Sequence, residues 1–423
     1  MSPARPVADG DPRPGKQPAF RIMGAALGRP LAVLIALAAS AYGATAEPNV
    51  LAGARLVERD FADLPGWRAD EQAMALDVFR RSCNVTADTT AARRATGFRA
   101  DLLAPACAAA RRLPPQASDA EARAFFEAHF VPYRVVPGTG DGFLTGYFEP
   151  EVQGSLKPSE RFPTPLLALP DDLVGLGNAD VPAHLAGFTA ARRTRDGLVP
   201  YHDRAAIEDG ALGAQARPLV YLDWVDAFFV HVQGSARVRI GPGAGGVVRV
   251  AYAGRNGHPY SSLGKLVVAE TGIPPEQMTA PALIAWLRAN PEAGRRLMRE
   301  NRSYIFFRRA DELDPAEGPL GAGMTQLVPG RSLAVDRTLW PYGLPVWLEA
   351  ELPEPGRQDL RPLRRLFIAQ DTGTAIRGPA RADIFFGSGP AAGEASGIVR
   401  HAPSAFVVLL PKGTLPAGRE RRP

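Results

Sequence analysis

The sequence has little cysteine: Cys83 and Cys107 are the two cysteines in 423 residues. Neither has a nearby histidine at zinc-ligand spacing, and the six histidines are scattered, so the sequence predicts no metal site and no cofactor. An even pair of cysteines in an exported chain favours a single disulfide, and two buried thiols are the alternative.

Positive charge is not concentrated anywhere along the chain. The formal net charge is +5, and there is no basic stripe of the kind that nucleic-acid binding calls for, so nucleic acid is not an expected partner. Lysine is scarce, with four residues against a large excess of arginine. A lysine such as Lys265 is therefore notable, because an ammonium and a guanidinium differ in geometry and hydration, although coding bias is the simpler explanation.

Long apolar runs are also missing. Leu31–Ala41 is too short and too rich in alanine for a membrane-spanning helix. It is followed by Ala44-Thr45-Ala46, a small-x-small cleavage pattern, which predicts a signal peptide over residues 1–46. The polar, proline-rich start is unusual for a leader, so we predict that translation begins at Met23.

No cysteine lies directly after this apolar run, so the sequence shows no site for lipid attachment. We therefore expect an exported, soluble periplasmic protein without a stable membrane span. Association with the outer membrane or the wall would depend on its substrate.

Several catalytic motifs are absent. The glycine-rich stretches at 138–143 and 241–246 lack the strand–loop–helix context and the acidic residue of nucleotide sites, and no G-x-S-x-G elbow indicates a serine hydrolase. Carboxylates remain: IAQDTGTAIRGPARADIFFGSG, residues 368–389, places Asp371 and Asp383 on glycine-punctuated turns between apolar runs. A solvated loop is the simple interpretation, and an acid held in a groove to move a proton is the specific one.

Residues 47 to about 135 have helical periodicity, as in Asp70–Ser82 and in Ser118–Phe130, which opens on a capping sequence. From about 132, short apolar runs alternate with Gly and Pro, which predicts strands and turns, including PLVYLDWVDAFFVHVQGSARVRI (218–240). One clear helix, Pro281–Met298, is broken by a proline at 291. The fold class predicted is mainly β with a helical N-terminal part, in which evenly spaced strands with glycine corners form a small barrel.

Polar and aromatic side chains recur at the turns of this β region. Thr145 and Tyr147 lie in GFLTGYFEPEVQG, Gln233 precedes Gly234, and Lys265 ends YAGRNGHPYSSLGK. Such groups suit sugar recognition, because rings stack on apolar sugar faces while polar groups meet hydroxyls. Each is an ordinary turn or core residue when taken alone, and together they indicate a polar groove.

Five motifs in consistent order resemble the membrane-bound lytic murein transglycosylase A family over roughly residues 60 to 411. They are TGYFEPEV, VYLDWVDAFFVHVQGSARV, YAGRNGHPYSSLGK, GPLGAGMTQLVPGRSLAVDRTLWPYGLPVWL and IAQDTGTAIRGPARADIFFGSG. The resemblance implies a double-psi β-barrel domain with a smaller β domain inserted into it and a groove between the two. The expected segments are a helical part of the barrel domain (47–150), the insertion (151–300), a C-terminal part named for three aspartates (301–411) and a disordered tail (412–423).

The resemblance also implies an activity, the cleavage of the β-1,4 bond between N-acetylmuramic acid and N-acetylglucosamine in peptidoglycan with closure of a 1,6-anhydro ring. The single catalytic acid falls on Asp383, with Asp371 as a supporting residue at the substrate. Peptidoglycan glycan strands are the expected partner, and the cell-wall synthesis or division machinery is a further candidate. The remaining positions carried over are Asp336 as the third, supporting aspartate and Thr145, Tyr147, Gln233 and Lys265 as substrate contacts.

The chemistry agrees with a single acid. The nucleophile, the 6-hydroxyl of the muramyl residue, is tethered, so one carboxyl group can donate a proton and then take one back. Asp383 must then be protonated near neutral pH, and we expect desolvation by Ile384–Phe386 and the charge of Asp371 to favour that form. Two alternatives remain: a hydrolytic muramidase that uses Asp371 and Asp383 as a pair, and a non-catalytic peptidoglycan-binding protein.

Overall fold

The computed structural model describes residues 50–51, 53–84, 98, 101–176, 181–241 and 246–415. The predicted signal peptide, the predicted start at Met23 and residues 416–423 lie outside the described residues. Within the described ranges, no helix combines the length and the apolar character that crossing a membrane requires.

The described secondary structure consists of α-helices, short 3-10 helices and many strands. The α-helices are α1 (Gln72–Cys83), α2 (Ala104–Ala110), α3 (Asp119–His129), α4 (Arg204–Glu208), α5 (Trp224–Gln233), α6 (Leu263–Thr271), α7 (Ala280–Ala289), α8 (Pro291–Glu300) and α9 (Pro390–Gly397); the 3-10 helices are Phe61–Asp63, Trp67–Ala69, Ala183–Leu185 and Gly213–Gln215. The strands are β1 (Val50–Leu51), β2 (Ala54–Glu58), β3 (Phe130–Pro137), β4 (Phe143–Glu149), β5 (Glu151–Ser155), β6 (Thr164–Leu167), β7 (Leu173–Gly175), β8 (Ala190–Thr194), β9 (Gly197–Pro200), β10 (Pro218–Leu222), β11 (Ser235–Ile240), β12 (Val247–Arg255), β13 (Ile305–Arg309), β14 (Ser332–Val335), β15 (Pro345–Leu352), β16 (Arg361–Asp371), β17 (Arg381–Ser388), β18 (Arg400–His401) and β19 (Ala405–Pro411).

The strands form one large sheet and two smaller ones. A ten-stranded sheet has the order β1-β2-β3-β19-β15-β16-β14-β17-β4-β18, so it is built from the first four and the last six strands. The strands between β4 and β14 pair elsewhere, in a six-stranded sheet of order β13-β12-β11-β5-β10-β6 and a three-stranded sheet of order β7-β8-β9. The chain therefore leaves the large sheet after β4 and returns to it at β14.

The N-terminal helices cover one side of the ten-stranded sheet. Phe79 of α1 contacts Phe126 of α3 edge to face at 6.1 Å, and Trp67 meets Trp347 of β15 at 5.3 Å, all four side chains being buried. The helical periodicity that predicts α1 and α3 is confirmed. The prediction of an entirely helical segment before residue 135 is wrong, because β1 and β2 add to this sheet through β3.

The start of α3 shows the predicted capping box. Ser118 Oγ accepts a hydrogen bond from the backbone N–H of Glu121, while the Glu121 carboxylate accepts one from the Ser118 N–H at 2.8 Å. Two of the unsatisfied N–H groups at the helix start are thereby paired. The break predicted at Pro291 is confirmed too, since α7 ends at Ala289 and α8 begins at Pro291.

Cys83 at the end of α1 and Cys107 in α2 form the predicted disulfide. The bridge closes a loop with a sequence separation of 24 residues. On the chain-entropy model, a loop of that length contributes about 3 kcal/mol by restricting the unfolded chain.

The C-terminal residues 412–415 pack against the domain, because Lys412 N donates to His129 O at 3.0 Å and Leu415 contacts the core.

One predicted strand is a helix. The apolar run Trp224–Gln233 forms α5, whose N-cap Asp223 accepts hydrogen bonds from the N–H groups of Val225 and Asp226. Gly234 ends the helix in the left-handed conformation at φ 82°, which glycine adopts without steric cost. A short run this apolar has no clear period, so a strand and a buried helix look alike in the sequence.

A buried ion cluster lies where the chain passes from β4 to β5. Glu149, with no exposed surface, accepts hydrogen bonds from Arg249 Nε at 2.8 Å, Arg237 Nε at 2.8 Å and Ser388 Oγ at 2.7 Å. Arg237 and Arg249 belong to the six-stranded sheet, whereas Glu149 and Ser388 belong to the ten-stranded sheet. The cluster therefore joins the two sheets.

We expect Glu149→Gln to lower the free energy of unfolding by about 3 kcal/mol, because it leaves two guanidinium groups in a buried cluster without their carboxylate. Glu151→Gln is the matched control: its partner Arg239 is about half exposed, and such a pair contributes less than about 1 kcal/mol. Urea unfolding followed by fluorescence measures both. Equal stability of the two variants would contradict the role assigned to Glu149.

Candidate active site

The two aspartates of the C-terminal motif face each other across one strand. Ala334 of β14 pairs with Asp371 of the parallel neighbour β16 and with Asp383 of the antiparallel neighbour β17. Thr145 of β4 pairs with Asp383 on the far side. Because neighbouring strands lie about 4.8 Å apart, the backbones of the two aspartates are about 10 Å apart, although twelve positions separate them in the chain.

A β-bulge sets the position of Asp371. The register between β14 and β16 runs Leu333 to Ala369 and then Ala334 to Asp371, so Gln370 is the extra residue. Bulges re-aim the side chains beside them. The sequence gives no sign of this bulge.

Gln370 holds the bulge in the core. Its side chain is buried, and Nε2 donates to Ser82 Oγ and Thr325 Oγ1, both at 2.9 Å, while Oε1 accepts from Ser332 Oγ at 2.5 Å. An amide that is satisfied on both its atoms fixes the backbone that carries it. Gln370 therefore fixes the backbone next to Asp371 through its buried side chain, a role that the sequence analysis missed.

Asp371 lies in a desolvated position. Burial raises the pKa of its carboxyl group to about 6, and the nearby charge of Asp383 acts in the same direction. Hydrogen bonds from the N–H groups of Ala322 at 3.0 Å and Thr372 at 2.9 Å, together with the Tyr147 hydroxyl, act against that rise in pKa. Near neutral pH this carboxyl group therefore holds a proton in part of the molecules.

Two phenols with buried hydroxyl oxygens, those of Tyr147 and Tyr342, flank Asp371. Burial and the Asp371 charge raise the pKa of Tyr147 well above its ordinary value, and they raise the pKa of Tyr342 as well. Both hydroxyls are therefore protonated at physiological pH. Neither hydroxyl makes a hydrogen bond of ordinary geometry within the described residues, so both remain able to donate to a carboxylate or to a bound group.

Asp383 has a different environment. Its Oδ1 accepts hydrogen bonds from Thr145 Oγ1 and from Arg381 Nη1, and Arg381 Nη2 donates to Thr145 Oγ1 at 2.9 Å. The side chains of Arg381 and Asp383 are 14% and 19% exposed, so this ion pair is largely shielded from water.

The surroundings of Asp383 contain one partner that the sequence analysis missed. Ile384 and Phe385 are buried as predicted, and Arg381 contacts the Asp383 carboxylate directly. Arg381 lies two residues before Asp383, and that spacing on a strand, with both side chains on one face, was the signal that could have revealed it.

The other predicted residues lie at varying distances from the pair. Gln233 ends α5, and its side chain accepts a hydrogen bond from the Phe148 N–H at 3.3 Å, next to Tyr147. Asp336 is buried and holds the loop after β16, since its Oδ2 accepts from the Gly378 N–H at 2.9 Å and its Oδ1 pairs with Arg377. Lys265 is exposed on α6 and forms no ion pair with any described residue.

Two protein-family models match this chain, one in its middle part and one in its C-terminal part. The model of the MltA specific insert domain matches residues 143–308, and the model of the 3D domain matches residues 331–409. The first range contains the two smaller sheets except for the last residue of β13, and the second contains β14 to β17 with both aspartates.

Two curated relatives and one solved structure are similar over much of their length. The membrane-bound lytic murein transglycosylase A of Vibrio cholerae is 32% identical over 265 residues, which are 62% of this chain and 64% of that protein, so the chain spans just under two thirds of this relative. The protein of the same name from Escherichia coli K12 is 31% identical over 251 residues, 56% of this chain and 67% of that protein. The crystal structure of a membrane-bound lytic murein transglycosylase from Agrobacterium tumefaciens has a TM-score of 0.73 at 34% identity and covers 84% of this chain and 97% of that chain.

These matches confirm the resemblance and the fold class that the sequence predicts, mainly β with a helical N-terminal part and a double-psi barrel with an inserted β domain. The chain belongs to the membrane-bound lytic murein transglycosylase A family.

Proposed function

We propose that the protein is a lytic transglycosylase that cleaves the β-1,4 bond between N-acetylmuramic acid and N-acetylglucosamine in peptidoglycan and leaves a 1,6-anhydro end. The observation that carries the proposal is the pairing of Asp371 and Asp383 across Ala334, with the raised pKa on Asp371 and the ion pair on Asp383. The names of its relatives support the reaction type. The same names support an envelope location, and we infer an exported, periplasmic protein.

Asp383 is the proposed reacting group. It would donate a proton to the glycosidic oxygen and then accept the proton of the 6-hydroxyl as O6 attacks the anomeric carbon. The second step needs a proton acceptor, and the Asp383 carboxyl group is held in place for it by hydrogen bonds from Thr145 Oγ1 and Arg381 Nη1 to its Oδ1. The first step needs a proton on the pair, and Asp371, with a pKa of about 6, supplies a place to hold it.

Substrate-binding roles remain part of the proposal. The phenols of Tyr147 and Tyr342 lie at Asp371 and can donate to a sugar oxygen as charge develops. The Thr145 hydroxyl donates a hydrogen bond directly to the Asp383 carboxylate. The Gln233 side chain accepts a hydrogen bond from the N–H of Phe148, the residue that follows Tyr147. Lys265 is proposed only as a contact to substrate farther from the bond.

A second candidate function has its own support. Two carboxyl groups with opposite protonation preferences are the usual arrangement of a hydrolytic glycosidase, in which one acts as acid and the other as nucleophile or base. Asp371, with its raised pKa, fits the role of the acid, and Asp383 would then be the second carboxyl group. The single difference is whether water or the tethered 6-hydroxyl attacks.

Digestion of purified sacculi followed by mass spectrometry distinguishes the candidates. A lytic transglycosylase releases muropeptides with anhydro ends, each lighter by one water than the reducing-end product of a hydrolase. Reducing ends alone would establish the muramidase. No release, together with binding to sacculi, would leave a peptidoglycan-binding protein.

A further inference from the structure

Two pairs of side chains lie side by side on β4 and β17, on the face that carries Asp383. The register places Phe143 opposite Arg381 and Thr145 opposite Asp383. Residues two apart on a strand lie on the same face of a sheet, so Arg381 and Asp383 point the same way, as do Phe143 and Thr145. The proposed reaction uses Asp383, and it gives Phe143 no part.

The Arg381 guanidinium completes a ring of three hydrogen bonds with Thr145 and Asp383. Its Nη1 donates to Asp383 Oδ1, and its Nη2 donates to Thr145 Oγ1 at 2.9 Å. The Thr145 hydroxyl donates in turn to the same Oδ1. Because the guanidinium is a planar fork, its two nitrogens fix the hydroxyl and the carboxyl group relative to each other, which the single nitrogen of a lysine cannot do.

The two carboxyl oxygens of Asp383 are therefore not equivalent. Oδ1 accepts two hydrogen bonds, whereas Oδ2 accepts none from any residue that the structure describes. The side chain is also not fully buried. A carboxyl group that is held by one oxygen has a defined orientation, and its other oxygen is free to carry a proton and to exchange it.

Phe143 packs against the Arg381 guanidinium. Cζ of Arg381 lies over the Phe143 ring, 5.2 Å from its centroid, which is within the range of a cation–π contact. Arg381 Nη1 also donates to Ala382 O at 2.6 Å. Groups other than the carboxylate therefore help to hold the guanidinium, and the Phe143 ring is linked to Asp383 through Arg381.

We propose that Arg381 is a positioning residue that anchors Asp383 by Oδ1, that Phe143 keeps its guanidinium in place, and that Asp383 Oδ2 is the atom that exchanges the proton. The inference rests on the proposed function. Oδ2 gives its proton to the glycosidic oxygen as the bond between that oxygen and the anomeric carbon breaks. It then accepts the proton of the 6-hydroxyl as O6 bonds to the same carbon, so the carboxyl group is regenerated and no water is consumed.

The role of Arg381 is tested by rates of anhydro-end release from soluble peptidoglycan strands, measured against substrate concentration to separate kcat from KM. We expect Arg381→Gln to lower kcat on the order of tenfold with little change in KM, because the reacting oxygen loses its fixed orientation while the strand still binds. Arg381→Lys should not restore kcat, since it keeps the charge and lacks the fork. Arg308→Lys, at an exposed ion pair with Glu312, is the matched control and should change neither constant.

The role of Phe143 is tested by a double-mutant cycle. Phe143→Leu should lower kcat about threefold in the wild-type background, and Phe143→Tyr, which keeps the ring, should retain the wild-type kcat. In the Arg381→Gln background Phe143→Leu should cause little further loss, because no guanidinium is left to hold. Phe162→Leu, between β5 and β6, removes another ring that lies under a guanidinium, that of Arg161 at 5.0 Å, and should leave kcat unchanged.

The outcomes separate this inference from the proposed function. Reducing ends only, or no product, from wild-type digests would remove both. If wild type releases anhydro ends, a normal kcat in Arg381→Lys would overturn the positioning role while the function stands. A Phe143→Leu effect on KM that is equal in both backgrounds would overturn its link to Arg381 and make the ring a substrate contact. Should Arg381→Gln fail to fold, the two Phe143 variants decide by the same split between kcat and KM, because Phe143 is 39% exposed.

Discussion

Replacement of Asp383 by asparagine is expected to lower the release of anhydro-muropeptides from sacculi by a factor on the order of 10³, because proton transfer by a positioned group contributes about 10² to 10⁴ in rate. Asparagine has nearly the same shape as aspartate and can still accept hydrogen bonds from Thr145 and Arg381. It cannot exchange a proton at the glycosidic oxygen. The loss should therefore be in kcat, with binding to sacculi largely kept.

A matched control and a binding assay make this result specific. Asp141→Asn, in the exposed turn between β3 and β4, makes the same change of atoms away from the pair and should retain full activity. Co-sedimentation with sacculi measures binding for all three proteins, and thermal unfolding checks the fold. Full activity of Asp383→Asn would show that another group moves the proton.

The second large effect concerns Asp371 and pH. We expect activity to fall as pH rises through about 6, because the folded protein loses the proton on Asp371 in that range. Asp371→Asn should remove this limb of the pH profile and lower the maximal rate by roughly 10². Rates of muropeptide release between pH 4 and pH 8 measure both effects. An unchanged pH profile in Asp371→Asn would exclude Asp371 as the holder of the proton.

The same carboxyl group makes stability depend on pH in a defined direction. The pKa of Asp371 is about 6 in the folded chain against an ordinary value of 3.8, so between these values the folded state binds more protons than the unfolded state. Its contribution to stability is therefore full below about pH 4 and is lost as pH rises through about 6, a change of about 3 kcal/mol. As pH rises from about 4 to above 6, the stability of wild type should therefore fall relative to that of Asp371→Asn. Thermal unfolding of both proteins across this range measures the effect independently of activity.

The placement of the proton bears on which reaction occurs. The sequence predicts one neutral acid at Asp383, whereas the structure gives that position an arginine partner and gives the raised pKa to its neighbour across β14. A lytic transglycosylase and a muramidase can both use such a pair. The products of sacculus digestion decide between them more directly than any single rate.

Local signals in the sequence determined much of this protein. Helical spacing and a capping sequence predict α1 and α3, a proline predicts the break between α7 and α8, and the two cysteines predict their bridge, because each of these depends on neighbours in the chain or on simple chemistry. The five motifs, in their order along the chain, identified the family and, with it, the fold class. They also identified Asp371 and Asp383 as the two aspartates of interest.

The tertiary structure alone decided how those aspartates differ. The helix at Trp224–Gln233, the bulge at Gln370 and the contact between Arg381 and Asp383 all depend on burial and strand register, which no short stretch of sequence contains. Burial raises the pKa of Asp371, whereas a guanidinium contacts Asp383, although both lie near similar glycine-containing turns in the sequence. These different surroundings depend on packing, which is decided only when distant strands meet.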